Sequence, residues 1–217
     1  GCSKKDFGHG SVVCVCTDDY CDSLPQVKLP KSKDVLIITS NKDGLRWNIT
    51  HQNFSQPGNE KLNSQENVTK IHINESVKFQ SIFGFGGAFT DAAGLNIISL
   101  TPPMQDKLIR SYYSSEGLEY NLGRVPIGGT DFSTRPYTYD DLTNNKTDKS
   151  LNNFSLANED YQYKIPIVQA ALKMSSTEVK LLASPWSAPA WMKDNQNLKG
   201  KGKLIKEYYY TWALYIS

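Results

Sequence analysis

The chain has 217 residues, 39% hydrophobic and 21% charged, and holds no apolar run long enough to span a bilayer, so the composition describes a soluble globular protein. Lysine and arginine number 24 against 22 aspartates and glutamates, a net charge of +2, and the basic residues are scattered rather than gathered into a stripe. That pattern argues against nucleic acid as a partner.

All four cysteines, Cys2, Cys14, Cys16 and Cys21, fall in the first 21 residues. Such crowding implies a local staple, either two disulfides or a four-thiolate zinc site, with the pairing left open. Six N-glycosylation sequons, at Asn48, Asn53, Asn67, Asn74, Asn145 and Asn153, weigh on that choice. They point to the secretory pathway, where thiols oxidise, and so favour disulfides. The opening GCSKKDFGHG lacks an apolar signal core, so the expected state is an already processed chain.

Further along, Asp34–Ser40 reads as a strand, Asn41-Lys-Asp-Gly44 as a turn, and Leu45–Thr50 as its partner strand. Residues 52–66 are polar and irregular, after which Val68, Ile71 and Ile73 restore strand character. To about residue 76 the chain therefore resembles part of an antiparallel β domain.

From residue 77 the pattern alternates strand with helix. Val77–Phe85 reads as a strand ending in the glycines Gly84, Gly86 and Gly87, and Asp91–Leu100 as a helix capped by Thr90. A second helix starts at Thr101 and Pro102, with Met104, Leu108, Ile109 and Tyr112 on one face. Tyr120–Ile127 forms a second strand, and residues 138–160 a polar insertion. Ile165–Met174 forms a helix, Val179–Ser184 a third strand, and Lys206–Ser217 the beginning of another helix. Each of the three strands leads into a loop bearing Asp, Arg, Trp or Gly. This suits a parallel sheet with its site at the carboxyl ends, in an open doubly wound sheet or a (β/α)8 barrel.

The glycine cluster lacks the spacing of a phosphate-binding loop or a dinucleotide fingerprint. Gly84, Gly86 and Gly87 are expected to permit positive φ and close packing of strand on helix. Asp131 stands just after the second strand, placed to accept hydrogen bonds from sugar hydroxyls or to serve as an ordinary loop cap, with Phe132, Tyr137 and Tyr139 as an apolar wall. Arg124 lies inside that strand, where a charge needs a partner, and a buried ion pair is the expectation. Trp186 and Trp191 follow the third strand, where an indole face suits a sugar ring. His9, His51 and His72 all lie in the first third of the chain, and G-x-S-x-G is absent, so a serine triad or histidine metal centre has little support.

Taken together, SVVCVC…YCDS, FGFGGAFTDAAGLNI, SLTPP, YNLGRVPIGGTDFS, YTYDD, NFSLANED, KIPIVQAAL and LLASPWSAPAWMK make the chain resemble the animal glucosylceramidases of glycoside hydrolase family 30. The resemblance covers essentially the whole chain. It implies a cysteine-stapled antiparallel segment over residues 1–28, part of an immunoglobulin-like β domain over 29–76, and the first three βα units of a (β/α)8 barrel over 77–217. The first two would be completed by later segments. It also implies pairings of Cys2 with Cys14 and Cys16 with Cys21, a glycan on Asn153, and a glucose unit bound by Asp131, Phe132 and Trp186.

Enzymes of this group retain anomeric configuration by means of two glutamates about 5 Å apart. Their acid/base lies in an Asn-Glu-Pro motif on the fourth strand, and this chain has no such motif. Both catalytic glutamates are thus expected on further polypeptide, and the chain alone is expected to be inactive. No metal or cofactor is called for. The implied partners are the rest of the same precursor, glucosylceramide or another β-glucoside, a saposin-like activator and the membrane surface; the implied location is lysosomal or secreted. A competing reading is a non-catalytic truncated paralogue that keeps Asp131 and Trp186 as a sugar platform. A polysaccharide-cleaving relative is disfavoured by the cysteine cluster.

Overall fold

The computed structural model describes residues 3–23, 25–54, 69, 71–144 and 146–217. They fall into two compact units, residues 1–16 with 24–83, and residues 17–23 with 84–217.

The first unit is built from two antiparallel pairs. Strand β1 (Lys4–Asp6) pairs with β2 (Val12–Cys14), Lys4 lying opposite Cys14. The connection uses Gly8 and Gly10 at φ +80° and +74°, and the Asp6 carboxylate accepts the Gly8 amide at 2.7 Å. Cys14, Cys16 and Cys21 are each disulfide-bonded, and Cys2 lies outside the described residues. Strand β3 (Asp34–Thr39) pairs with β4 (Asn48–Asn53) from Asp34↔Asn53 to Thr39↔Asn48, forming the expected hairpin.

Asn41 organises that turn, its Oδ1 accepting the amides of Asp43 at 3.1 Å and Leu45 at 3.0 Å. The second strand begins later than Leu45 because the turn extends further: Trp47 sits at φ +48° and donates its amide to the Ser40 hydroxyl at 3.0 Å. The strand character expected at Ile71 and Ile73 is not found; both are exposed and extend no ladder. Val68 lies outside the described residues.

The second unit carries a three-stranded parallel sheet in the order β5 (Gly86–Ala88), β6 (Leu122–Ile127), β7 (Lys180–Pro185). Helices α1 (Asp91–Ile98) and α2 (Pro102–Tyr113) connect β5 to β6, α3 (Ile165–Met174) precedes β7, and α4 (Tyr209–Ile216) follows it. Thr90 caps α1 as its sequence position predicts, its hydroxyl accepting the Ala93 amide at 3.0 Å. Thr101 makes no such cap; its hydroxyl bonds Asp18 instead.

The first strand differs from expectation. Val77–Phe85 is not its body; the glycines are, since pairing starts at Gly86↔Leu122. Phe85 meets the neighbouring chain through the Asn121 side chain, which accepts its amide at 3.0 Å, and its carbonyl receives the amides of both Asn121 and Leu122. None of Gly84, Gly86 and Gly87 has positive φ. Gly84 and Gly86 serve close approach: a Cβ on Gly86 would stand 1.9 Å from the Leu122 carbonyl oxygen, and one on Gly84 2.2 Å from the Asn121 side chain, whereas one on Gly87 would meet only the Tyr120 ring at 3.9 Å. Gly123 does the same for an aromatic ring, a Cβ there falling 2.4 Å from Phe89.

Two apolar clusters hold this unit. Phe89, Ile109, Tyr113, Ile167 and Ala171 pack the helices against the sheet. In α2 the innermost residues are Ile109 and Tyr113, whereas Tyr112, expected on that face, is 40% exposed. The second cluster joins Tyr137, Tyr139, Trp191, Met192, Tyr208 and Tyr215, so the start of the polar insertion is tied into the core. Tyr139 stacks on Tyr215 at 6.2 Å and its amide is bonded to the Tyr215 hydroxyl at 2.8 Å. Trp191, considered above as a sugar platform, is 4% exposed and donates its indole N–H to the Asp140 carbonyl at 2.9 Å. It is a core residue.

Candidate functional site at the strand ends

The carboxyl ends of β5, β6 and β7 deliver Asp91, the loop Gly128–Tyr137, and Trp186. Arg124, within β6, reaches toward β7: it donates to the Ser184 hydroxyl at 3.1 Å and its guanidinium lies 4.8 Å from the centre of the Trp186 ring. The ion pair expected for Arg124 is not present among the described residues; an indole face and a hydroxyl take its place. Trp186 is 48% exposed, with this cation against its ring. Asp131 and the 82% exposed Phe132 stand on the separate loop after β6.

That loop is short of slack. Gly128 at φ +81° turns the chain, and the Gly129 amide bonds the Tyr137 carbonyl at 3.0 Å, closing the loop at its base. Thr130–Ser133 then form a tight turn, with the Ser133 amide on the Thr130 carbonyl at 3.3 Å and the Thr130 amide on the Ser133 hydroxyl at 2.8 Å. Asp131 and Phe132 are its two central residues.

A buried charge network underlies the loop. Asp160–Lys164 forms one π-helical turn running into α3, and Lys164 is 1% exposed. Its ammonium contacts Asp160 at 2.6 Å, the Tyr139 hydroxyl at 3.1 Å, and the carbonyls of Pro126 at 3.1 Å and Gly128 at 3.3 Å. Proline in a central strand removes a ladder donor. Here its carbonyl gains a charged donor instead. The Tyr139 hydroxyl donates to Asp160, whose other oxygen accepts the Ala157 amide at 3.0 Å. Burial, then the bond to Asp160, raises the Tyr139 phenol far above its usual range. Arg135 grips Glu159 through two bonds of 2.7 and 2.9 Å; burial pushes the Glu159 carboxyl up, but these bonds outweigh it and hold it low.

Asp91, Ser133, Lys164, Asp160 and Tyr139 were not singled out as a group by sequence reasoning. A signal existed for one pair: Asp160 and Lys164 are spaced i,i+4 immediately before an apolar helix. A cavity of about 420 Å³ lies elsewhere, lined by residues such as Phe89, Ile97, Ile109, Tyr113, Tyr120 and Ile167, and neither Asp131 nor Trp186 reaches it. Its walls are the packing faces of the sheet and helices.

Parallel strands joined by helices, with charged and aromatic side chains gathered at the carboxyl ends, define a partial (β/α) barrel with its site at the strand ends. Comparison with known proteins makes this specific. The chain belongs to glycosyl hydrolase family 30, residues 82–217 matching the description "Glycosyl hydrolase family 30 TIM-barrel domain". It is 44% identical to the lysosomal acid glucosylceramidase of Mus musculus over 99% of this chain and 41% of that protein. Among solved structures it resembles SrfJ of Salmonella typhimurium, with a TM-score of 0.67 and 30% identity over 83% of this chain and 38% of that one. It also resembles the endo-β1,6-glucanase BT3312, with a TM-score of 0.55 and 28% identity over 65% and 32% of the respective chains. The chain therefore spans about two-fifths of the length of the curated relative it matches.

Proposed function

We propose that this chain is the N-terminal part of a retaining β-glucosidase that cleaves glucosylceramide to glucose and ceramide. The observation that carries the reading is the 44% identity to the mouse lysosomal acid glucosylceramidase over 99% of this chain. In this reading Asp131 accepts hydrogen bonds from the glucose hydroxyls, Phe132 and Trp186 wall the ring, and Arg124 holds the indole in place. The glutamates that protonate the leaving oxygen and attack the anomeric carbon come from the remaining polypeptide, which also completes the barrel, the cysteine-stapled sheet and an immunoglobulin-like domain. Residues 1–217 alone are inactive.

A secretory, lysosomal location accords with disulfide-bonded Cys14, Cys16 and Cys21 and with exposed sequons at Asn48, Asn53, Asn74 and Asn153; Asn67 and Asn145 lie outside the described residues. A saposin-like activator and a membrane surface would present the lipid substrate. Among the described residues no helix is long and apolar enough to cross a membrane.

The test is hydrolysis of a fluorogenic β-glucoside by the whole protein, followed by labelling with a mechanism-based β-glucosidase inactivator and peptide mapping. Turnover with the label outside residues 1–217 supports the reading. A label within them, or sugar binding without turnover, overturns it, the latter in favour of a non-catalytic sugar-binding paralogue.

A further inference from the structure

We propose that Asp91 is a positioning residue for Asp131, acting through Ser133 to fix the turn after β6. The proposal rests on the reading of Asp131 as a sugar-hydroxyl acceptor.

Asp91 opens α1, where a carboxylate is favoured by the positive helix end. An acid kept only for that purpose would remain in water. Asp91 is instead 3% exposed, and its Oδ1 accepts the Ser133 hydroxyl proton at 2.8 Å. Ser133 Oγ is thereby fully oriented, since the same oxygen accepts the Thr130 amide at 2.8 Å. A hydroxyl with a committed proton and a committed lone pair cannot rotate. The two bonds lie across the mouth of the turn whose central residues are Asp131 and Phe132.

The base of the loop is held independently by Lys164 on the Gly128 carbonyl at 3.3 Å. With the base fixed from the π-helical turn before α3 and the crown fixed from α1, the direction of the exposed Asp131 carboxylate follows from its backbone. A charged acceptor gives a stronger bond than a neutral one. That explains why a carboxylate is buried here to hold one serine: the turn is registered to the first βα unit, so that the ends of β5 and β6 act as one rigid wall.

The experiment uses the whole protein and a fluorogenic β-glucoside, with Ser133→Ala, Ser133→Thr, Asp131→Ala, and the double variant Asp131→Ala/Ser133→Ala. Ser133→Ala removes both the charge-assisted bond to Asp91 and the bond from the Thr130 amide, and is expected to lower kcat/KM roughly tenfold or more. The variant should also lose some stability, because the buried Asp91 carboxylate is left without that donor, so kcat/KM is read well below its thermal midpoint. Ser133→Thr, which keeps the hydroxyl, restores most of the rate, and adding Ser133→Ala to Asp131→Ala costs little more, because the serine acts through the aspartate. A Ser133→Ala enzyme with wild-type kcat/KM, or one whose loss multiplies that of Asp131→Ala, overturns the proposal. If Ser133→Ala does not fold, Asp91→Asn, which keeps the shape but weakens the bond, decides by the same kcat/KM measurement. Full activity of Asp131→Ala would sink the sugar-acceptor reading itself, whereas a crippled Asp131→Ala beside a normal Ser133→Ala sinks only the positioning role.

Discussion

Replacing Asp140 by asparagine should make the protein more stable at neutral pH and leave it unchanged in acid. Asp140 is 2% exposed and both its carboxylate oxygens lack a hydrogen-bond partner among the described residues. Burial, then the charges of Asp148 and Asp141, raises its pKa from 3.8 to about 6. The groups around it offer no relief: Trp191 donates to its backbone carbonyl, and the Tyr215 phenol from α4 is itself pushed up to about 12. Asp148 stays ionised, because the Asn153 amide and further hydrogen bonds hold its carboxyl low.

The unfolded chain releases the Asp140 proton near pH 4 and the folded one near pH 6, so stability is full below pH 4 and falls as pH rises through 6. A gap of two pKa units corresponds to roughly 3 kcal/mol; nearby solvent screens part of this even for a buried carboxyl, leaving about 2 kcal/mol. Asparagine does not titrate. Denaturant unfolding of wild type and Asp140→Asn at pH 3 and pH 7.5 should show almost no difference at the first and about 2 kcal/mol in favour of the variant at the second. A difference that is the same at both pH values, or that favours wild type at pH 7.5, would show that the carboxylate has a partner when ionised and refute the reasoning.

Two further substitutions probe the scaffold. Gly86→Ala forces a methyl onto the Leu122 carbonyl, and since backbone cannot yield as a side chain does, a loss of about 3 kcal/mol or more and early protease cleavage near β5 are expected; a wild-type unfolding midpoint would deny the close approach. Lys164→Met leaves Asp160 buried without its cation and frees the Pro126 and Gly128 carbonyls, which should cost about 3–5 kcal/mol. In the whole protein, under the proposed β-glucosidase reading, the accompanying loss of fluorogenic β-glucoside turnover should exceed what unfolding explains at low temperature; a stable variant with full turnover contradicts the anchoring role.

The periodic parts of this fold were legible because local signals agreed with tertiary packing. Thr90 before Asp91-Ala-Ala caps a helix in isolation and does so here, and IPIVQAALKM forms α3 over its full length. The first parallel strand was misplaced because β propensity favours Val77–Phe85 over glycine, whereas pairing there is decided by how near two backbones can come, a property of the neighbour Leu122. Arg124 and Trp186 could each be picked out by position, but not their mutual contact, which needs the register of β6 beside β7. The insertion at 138–160 reads as polar because Tyr139 stands alone among acids and amides. The burial of its first residues depends on α4 and Trp191, far along the chain.

The unequal restraint of the two strand-end loops has an evolutionary consequence. The turn bearing Asp131 is bonded to α1 on one side and to the π-helical turn before α3 on the other, so a change there disturbs neighbouring elements as well as the ligand and is felt in folding first. Trp186 rests on a guanidinium face and stands half in solvent, so variation around it is filtered chiefly by what it does to the ligand. Divergence of preference among homologues should accumulate behind the third strand, while the second keeps its sequence through changes of diet and compartment.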